Sequence, residues 1–346
     1  MSSTFKVPIR NLFCLLSYVN EIPEFVDHLS DIDEDLITYD FLAHRFKQEV
    51  QQLLKRGLVR NYVANSEETS YIAGRMMMNE SVQLLAERKP VVVCEKDEYS
   101  SNILLNQIMK TTLRQLVKNQ HIQEKTRREC FILWEQLPTV YEIPLNKESF
   151  TRLKFSRHNA YYKQMIHIAL LLHELKLLSH KSGNWSLFTV DLDEGEVNRL
   201  FEKFLFHFYQ REQETYTVHS ERLQWNLQGN RSLLPTMLTD VSLTHRYKPE
   251  KVIIDAKFYR HLFQRHFDRA TFHSHNLYQI FTYVMHQPAF KRVRGILIYP
   301  GNQAGELHEI YSWDERMAIE IVSLDLNASW REIYNALLAL LREKEQ

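Results

Sequence analysis

Residues 233–259 have the sequence LLPTMLTDVSLTHRYKPEKVIIDAKFY, in which two largely apolar runs flank a polar segment at 245–250. Two such runs around a short polar segment predict the strands and turn of an antiparallel hairpin. If the hairpin turns at the centre of that segment, Asp240 in the first strand lies opposite Asp255 in the second. Lys257 shares the face of Asp255, because side chains alternate between the two faces of a strand.

The two opposed carboxylates repel each other, and a bound cation would offset this repulsion. Directly opposed side chains have Cβ atoms roughly 4.5–5.5 Å apart, and like charges at this separation destabilise a sheet. Mg²⁺ prefers such hard oxygen ligands and keeps several waters. A bound metal lowers the pKa of its water and stabilises charge on a phosphoryl oxygen, and the amine of Lys257 can orient that water or help to deprotonate it. Asp240, Asp255 and Lys257 are therefore candidate catalytic residues for phosphodiester hydrolysis, with Asp240 and Asp255 as metal ligands.

A structural interpretation of the same pattern stays open. Asp240 and Asp255 are then ordinary polar residues and Lys257 forms a surface salt bridge, because a short D…DxK pattern is common by chance. The apolar run at 252–254 favours the metal site, since it predicts a buried strand, in which an unpaired Asp is costly.

Basic residues are concentrated between positions 245 and 275, beside the predicted hairpin. The whole chain has 43 Lys and Arg against 43 Asp and Glu, so this strip is a local excess. Such a strip favours contacts with DNA phosphates, which position DNA without reading its sequence; the alternative is a solvated loop of mixed charge. Its members include Arg246, Lys248, Lys251, Arg260, Arg265 and Arg269, of which Arg260, Arg265 and Arg269 are the candidate DNA-backbone contacts.

The composition is that of a globular protein: 346 residues, 44% hydrophobic and 25% charged, enough for two domains. Three widely spaced cysteines predict neither a disulfide framework nor a zinc site, and they favour a reducing cytoplasm. No segment is apolar for long enough to span a membrane. The phosphate-binding patterns GxxxxGK[ST] and GxGxxG are absent, so any nucleotide hydrolysis is predicted to be the work of another subunit.

The order of predicted elements indicates two domains, with a boundary near 182–194 where the helical pattern breaks. The N-terminal domain (1–188) is predicted to be mainly helical with a small β element. The C-terminal domain (189–346) alternates strands with helices, which predicts an α/β (α+β) architecture, a mixed central sheet flanked by helices.

These residues resemble the McrC family, the nuclease subunits of the McrBC modification-dependent (5-methylcytosine) restriction systems, within the PD-(D/E)xK nuclease superfamily. The resemblance covers nearly the whole chain, and its motifs are more specific in the second half. They are VPIRNLFCLLSYV (7–19), LLNQIMKTTL (104–113), LQWN (223–226), LLPTMLTD (233–240), IIDAKFY (253–259), FHSHNLYQIFTYV (272–284) and GILIYP (295–300).

The resemblance implies a restriction-endonuclease-like C-terminal domain with Asp240, Asp255 and Lys257 as its catalytic residues and Mg²⁺ as its cofactor. It implies that the N-terminal domain docks on McrB, a GTP-hydrolysing AAA+ hexamer, and stimulates its GTPase. In that family McrB recognises the methylated DNA and this subunit cuts it. Arg10 and Arg75, with Arg56, are candidates for docking or GTPase stimulation, although structural roles are favoured for all of them.

The resemblance also suggests supporting residues. Gln279 and Tyr283 are spaced i, i+4 on a predicted helix at 275–286 and so share one face. This QxxxY pair resembles that of RecB-like nucleases, which implies that it steadies the lysine or contacts DNA; plain packing on the sheet is the alternative. Glu202 lies on the helix before the hairpin, from which such nucleases often bring an acid to the metal, but it could equally be solvated.

Two other functions stay open at this point. A non-enzymatic adaptor would assemble and activate the motor while another protein cuts, and it would have no need of opposed carboxylates. A stand-alone RecB-like repair nuclease would act without a GTPase partner, and the long N-terminal half without a nucleotide loop argues against it.

Overall fold

The computed structural model describes residues 5–26, 38–182, 189–192, 194–225, 227–230, 232–257, 263–266, 269–301 and 307–342. In chain order its helices are α1 (Ile9–Val19), α2 (Pro23–Val26), α3 (Tyr39–Arg56), α4 (Met78–Ala86), α5 (Leu104–Lys118), α6 (Glu124–Glu135), α7 (Lys147–Thr151), α8 (Lys163–Ser182), α9 (Glu194–Glu212), α10 (Ser274–Met285) and α11 (Trp330–Ala339). Its strands are β1 (Phe5–Pro8), β2 (Asn61–Thr69), β3 (Arg75–Met76), β4 (Val92–Ser100), β5 (Thr189–Leu192), β6 (Tyr216–His219), β7 (Arg222–Leu223), β8 (Met237–Leu238), β9 (Val241–His245), β10 (Glu250–Ala256), β11 (Phe263–His266), β12 (Arg269–Phe272), β13 (Arg292–Gly301), β14 (His308–Ser312) and β15 (Met317–Asp325).

The chain forms two compact units. The sheet unit comprises Met1–Thr38 and Leu175–Gln346, and the inserted unit comprises Tyr39–Glu174. This division differs from the consecutive ranges 1–188 and 189–346 predicted from the sequence, because the N-terminal segment packs with the C-terminal half. The division of functions between those two predicted ranges remains a prediction.

The N-terminal segment is held in the sheet unit by helix α1. The Asn11 side chain donates hydrogen bonds to the carbonyl oxygens of Leu326 at 2.6 Å and Ala328 at 3.0 Å. The guanidinium of Arg10 donates to the carbonyl oxygen of Asn327 at 3.1 Å. These contacts fix the first helix to the loop before α11, so the structure gives Arg10 a structural role.

The sheet unit contains a six-stranded sheet in the order β14–β15–β13–β10–β9–β6. Strands β10, β13 and β15 are parallel to one another, whereas β14, β9 and β6 are each antiparallel to their neighbours. Helices α9, α10 and α11 pack against these strands. The predicted mixed sheet flanked by helices is therefore confirmed.

The predicted hairpin is formed by β9 and β10. Its register pairs Val241 with Ile254, and the same register continued by one residue sets Asp240 opposite Asp255. Strand β10 lies between β9 and β13, and all of its residues after the first are buried. A turn at the centre of the polar segment therefore predicted both the pairing and its register correctly.

An apolar core lies between α10 and the sheet, and Gly295 in β13 lets the helix approach closely. A Cβ added at Gly295 would lie 2.7 Å from side-chain carbons of both Ile280 and Val284, which is too short for a carbon–carbon contact. The buried members of this core are Leu223, Met237, Ile253, Ile280, Tyr283, Leu297, Tyr299 and Ile321.

We expect Gly295→Ala to lower the free energy of unfolding of the protein by about 1–3 kcal/mol, because the new methyl group forces α10 away from β13 or its side chains off their rotamers. Urea unfolding of the full chain measures the change. An unfolding midpoint equal to that of the wild type would show that the helix does not depend on this close approach.

The inserted unit contains a three-stranded sheet in the order β2–β4–β3. The sequence Asn65-Ser66-Glu67 favours a turn between two short strands, and this interpretation is wrong. The segment is one continuous strand, because β4 pairs with it through the expected turn, with Asn65 opposite Lys96 and Glu67 opposite Cys94. A salt bridge between Lys96 and Glu67 adds a cross-strand contact there.

Helices form the remainder of the inserted unit. The mainly helical character predicted for the N-terminal domain is confirmed by α3, α5, α6 and α8, and α5 packs with both α3 and α6. Arg56 stacks on the ring of Tyr161, with its guanidinium carbon 3.8 Å from the ring centroid. Arg75 is exposed and 4.0 Å from the carboxylate of Glu95. Throughout the described part of the chain, every helix is too short or too polar to cross a membrane.

Candidate active site

The candidate site lies at the C-terminal end of β10, inside the six-stranded sheet. Asp255 is the second-last residue of this strand, and Lys257 directly follows it. Asp240 lies between β8 and β9, and the backbone N–H of Ala256 donates a hydrogen bond to its Oδ2 at 3.1 Å. The structure thus brings the three sequence-predicted residues together.

Asp255 is a carboxylate in an unusual environment. Its side chain is 0% exposed, and the Nζ of Lys257 lies 3.0 Å from its Oδ2. Among the described residues, no group makes a well-formed hydrogen bond to either of its carboxylate oxygens. Burial raises the pKa of Asp255, the charges of Asp240 and Glu202 raise it further, and Lys257 opposes them. Burial of a carboxylate is costly, and Lys257 offsets this cost only in part, because the pKa of Asp255 remains raised to about 7.

Lys257 is the cation that faces these carboxylates. Burial lowers its pKa, but the charges of Asp255, Asp240 and Glu202 outweigh burial, and the net shift is upward. The pKa of Asp240 is raised by burial, against the opposing effects of Lys257 and the Ala256 N–H. The carboxylates around Lys257 therefore favour its ammonium form.

Helix α9 brings a third carboxylate towards the site. The pKa of Glu202 is raised by burial and by the charge of Asp240, and it is lowered by Lys257. The side chain of Asn198 donates a hydrogen bond to the Oε1 of Glu202 from one turn earlier in the helix. Glu202 is therefore half-buried and within electrostatic reach of the site, rather than fully solvated.

Gln279 and Tyr283 lie on the face of α10 that is turned towards the site. The Nε2 of Gln279 donates to the hydroxyl of Tyr283 at 2.8 Å, and that hydroxyl donates to the carbonyl oxygen of Leu238 at 2.8 Å. Burial raises the pKa of Tyr283, and the site carboxylates contribute to the shift. The pair is therefore hydrogen-bonded to the main chain that leads to Asp240, two residues further on.

The structure describes the backbone of two of the three candidate DNA-backbone arginines. Arg265 and Arg269 lie in the antiparallel hairpin β11–β12, and their side chains are outside the described residues. Arg260 lies wholly outside the described residues. Their contacts with DNA remain predictions.

Lys251 does not belong to an exposed basic strip. Its Nζ lies 2.5 Å from the Oε1 of Glu221, with 4% of the lysine side chain exposed, and 3.0 Å from the Oε1 of Gln287. This buried ion pair occupies the ammonium, so Lys251 does not contribute to an exposed phosphate-binding strip. Alternation explains the burial, because Lys251 shares the α10-facing side of β10 with Ile253.

Thr239 is a site residue that the sequence analysis missed. It is 1% exposed, and its Oγ1 accepts hydrogen bonds from the Ser242 hydroxyl at 3.0 Å and the Glu221 N–H at 3.2 Å. Threonine is common in strands, so the sequence carried no signal that this hydroxyl is buried and bonded next to Asp240.

The site can accommodate a divalent metal ion. The carboxylates of Asp240 and Asp255 are adjacent hard oxygen donors, and the Asp255 oxygens lack well-formed hydrogen bonds from the described residues. In the described part of the chain, no three His, Cys, Asp or Glu side chains are already gathered around one point. Two protein carboxylates with water in the remaining positions are what Mg²⁺ commonly accepts, so the donor set fits it.

The mixed sheet flanked by helices, with acidic residues and a lysine at the end of a central strand, defines an α/β protein with a nuclease-like fold. A family model described as "McrBC 5-methylcytosine restriction system component" matches residues 5–300. The chain belongs to this family, as its motifs had suggested.

Two further proteins are similar to the chain. The Escherichia coli (strain K12) protein named "Type IV methyl-directed restriction enzyme EcoKMcrBC" is 27% identical over 349 residues, which cover 97% of this chain and 98% of the relative. A solved structure is described as a refined half-complex from the tetradecameric assembly of Thermococcus gammatolerans McrB AAA+ hexamers with bound McrC. One of its chains matches with 18% identity and a TM-score of 0.54, covering 96% of this chain and 76% of that one. At this identity the likeness shows the fold.

Proposed function

We propose that this chain is the DNA-cleaving subunit of a GTP-dependent, modification-dependent restriction complex. The proposal depends most on one observation: the buried Asp255 lies beside Asp240, has carboxylate oxygens without well-formed hydrogen bonds from the described residues, and is faced by the ammonium of Lys257. This arrangement supports a Mg²⁺-dependent phosphodiester hydrolysis of the PD-(D/E)xK type.

Each residue has a distinct task in this proposal. Asp240 and Asp255 would hold Mg²⁺, which supplies a more acidic water and neutralises charge on the phosphoryl oxygen. Lys257 donates hydrogen bonds from its ammonium and thereby orients the attacking water towards phosphorus. Glu202, whose pKa is raised by burial and by Asp240, would supply a third acid to the metal site from helix α9.

The second half of the proposal concerns the partner. The similar Escherichia coli protein is named a methyl-directed restriction enzyme. The similar solved structure contains McrB AAA+ hexamers with bound McrC. We propose that this chain likewise binds a McrB-like AAA+ GTPase hexamer, which uses the GTP, recognises the methylated DNA and delivers it to the site. The sequence itself has neither of the usual phosphate-binding loop patterns. A cytoplasmic location follows from this role.

A candidate surface for that partner lies on the inserted unit. Tyr62 and Tyr99 lie opposite each other on β2 and β4, their rings are 5.3 Å apart, and they are 69% and 58% exposed. A group of exposed large apolar side chains is typical of a protein interaction site. Other exposed large apolar side chains of the inserted unit follow the far end of β2 or lie on α4: Tyr71, Ile72, Met78, Val82 and Leu85.

We expect the double change Tyr62→Ala and Tyr99→Ala to raise the concentration of the chain that half-maximally stimulates the partner's GTPase about tenfold or more, because exposed tyrosines are frequent binding hot spots. Tyr141→Ala is the matched control, since Tyr141 is also in the inserted unit and is 68% exposed. Equal losses in the control and the double variant would contradict a specific role of the tyrosine pair.

The experiment that tests the whole proposal combines the chain with its co-encoded AAA+ GTPase, GTP, Mg²⁺ and methylated DNA. We expect cleavage by the complex and none by either protein alone. Stimulated GTP hydrolysis without any cleavage would instead identify a non-enzymatic adaptor. Cleavage by the chain alone, with no change when the GTPase is added, would identify a stand-alone nuclease.

A further inference from the structure

The short segment that carries Asp240 is held at several points by hydrogen bonds that are partly or fully buried. On one side, the backbone N–H of Thr239 donates to the carbonyl oxygen of Glu221 at 3.1 Å, and the Ser220 hydroxyl donates to the carbonyl oxygen of Thr239 at 2.8 Å. The Thr239 hydroxyl accepts from the N–H of Glu221 and from Ser242. Thr239 is therefore fixed through its backbone and its side chain.

The other side of the segment is held by helix α10. The Tyr283 hydroxyl donates to the carbonyl oxygen of Leu238 at 2.8 Å, and Gln279 donates to the same hydroxyl, which fixes its direction. The ring of Tyr283 is 5% exposed and belongs to the apolar core below the sheet. The bond therefore ties the residue two before Asp240 to a rigid helix.

We infer that Thr239 and Tyr283 are positioning residues, which set the place and direction of the Asp240 carboxylate relative to Asp255. The inference rests on the proposed function and adds to it. The QxxxY pair then acts on the metal ligand Asp240 through the main chain, rather than by touching Lys257 or the DNA. Groups that orient a metal ligand typically change metal affinity or activity by about 10- to 100-fold when they are removed.

The first test is Tyr283→Phe, which removes the hydroxyl and keeps the ring in the core. Tyr209→Phe is the matched control, because the buried Tyr209 hydroxyl also donates to a backbone carbonyl, that of Leu337, at 3.0 Å. We expect Tyr283→Phe to weaken Mn²⁺ binding by the full chain, measured by electron paramagnetic resonance without DNA, about tenfold. We expect Tyr209→Phe to leave Mn²⁺ binding unchanged.

The second test uses Thr239→Val and Thr239→Ser. Valine has nearly the shape of threonine without the hydroxyl, so it removes the side-chain bonds to the Glu221 N–H and the Ser242 hydroxyl and keeps the backbone bond to Glu221. Serine keeps the hydroxyl. We expect valine to weaken Mn²⁺ binding about tenfold and serine to restore most of it. Thermal unfolding of both variants separates this effect from a general loss of structure.

Cleavage by the reconstituted complex gives a second, independent readout. Tyr283→Phe should raise the Mg²⁺ concentration for half-maximal cleavage about tenfold and leave the rate at saturating Mg²⁺ within about threefold of the wild type. A lower rate at saturating Mg²⁺ with unchanged Mn²⁺ binding would overturn the inference, because the hydroxyl would then act on DNA. Equal effects of Tyr283→Phe and Tyr209→Phe would overturn it as well.

These outcomes differ from a failure of the proposed function itself. If the wild-type chain binds no Mn²⁺ and its complex cuts no DNA, the nuclease proposal fails. If the wild type binds and cuts while Tyr283→Phe and Thr239→Val behave like the wild type, only the positioning inference fails.

Discussion

Asp255→Asn should reduce DNA cleavage by the reconstituted complex at least about a thousandfold, a loss of about 4 kcal/mol of transition-state stabilisation. The amide is nearly the same size as the carboxylate but carries no charge, and it is a poor ligand for Mg²⁺. GTP hydrolysis by the partner should stay within about twofold of its wild-type rate, since the substitution lies in the sheet unit and alters no exposed residue. Both rates are measured in the same reaction.

The same substitution should not destabilise the protein. Asp255 is fully buried beside Asp240 and lacks well-formed hydrogen bonds from the described residues, so its negative charge opposes folding in the absence of metal. In EDTA, the unfolding temperature of Asp255→Asn should therefore equal or exceed that of the wild type. Cleavage within tenfold of the wild-type rate would contradict the role of Asp255 as a metal ligand, and a large fall in stability would assign it a structural role.

Lys257→Gln should lower cleavage about a hundredfold or more, because the site loses the ammonium that orients the attacking water. Its effect on stability should be opposite to that of Asp255→Asn. The side chain of Lys257 is only 18% exposed and faces a carboxylate that is fully buried. Removing the cation leaves Asp255 and Asp240 uncompensated, which in EDTA should lower the free energy of unfolding by up to about 3 kcal/mol.

Added Mg²⁺ should restore much of the stability that Lys257→Gln loses, because the ion replaces the missing positive charge between the carboxylates. Thermal unfolding in EDTA and in Mg²⁺ measures the difference. Lys203→Gln is a matched control, since Lys203 is an exposed lysine on α9 next to Glu202. The assignment would be contradicted if Lys257→Gln behaved like Lys203→Gln in both cleavage and stability.

The hairpin was the part of the fold that the sequence predicted best. Two largely apolar runs flank one short polar segment, so a turn at the centre of that segment fixes which residues face each other. The alternation of side chains then sets Lys257 on the face of Asp255. That register places Asp240 beside Asp255 and needs no information from distant parts of the chain. The cap of the last helix was also predictable: Ser329 accepts a hydrogen bond from the Glu332 N–H, and the Glu332 carboxylate accepts one from the Ser329 N–H.

Long-range contacts were beyond the sequence analysis. Met1–Thr38 belongs to the sheet unit, in which Asn11 donates hydrogen bonds to a loop more than three hundred residues later. No local sequence pattern predicts these contacts. The continuous strand β2 arises because β4 supplies paired backbone groups through a segment with turn-forming residues. The Thr239 hydroxyl is fixed by hydrogen bonds from Glu221 and Ser242, and its proposed positioning role depends on these contacts.

The location of the metal is the most direct test of the central claim. Crystals of the full chain soaked in Mn²⁺ would give an anomalous difference peak that marks the ion. We predict a peak within coordination distance of the Asp240 and Asp255 carboxylates, and its loss in crystals of Asp255→Asn. An ion bound elsewhere in a wild-type protein whose complex cuts DNA, with none at this pair, would contradict the assignment of the active site.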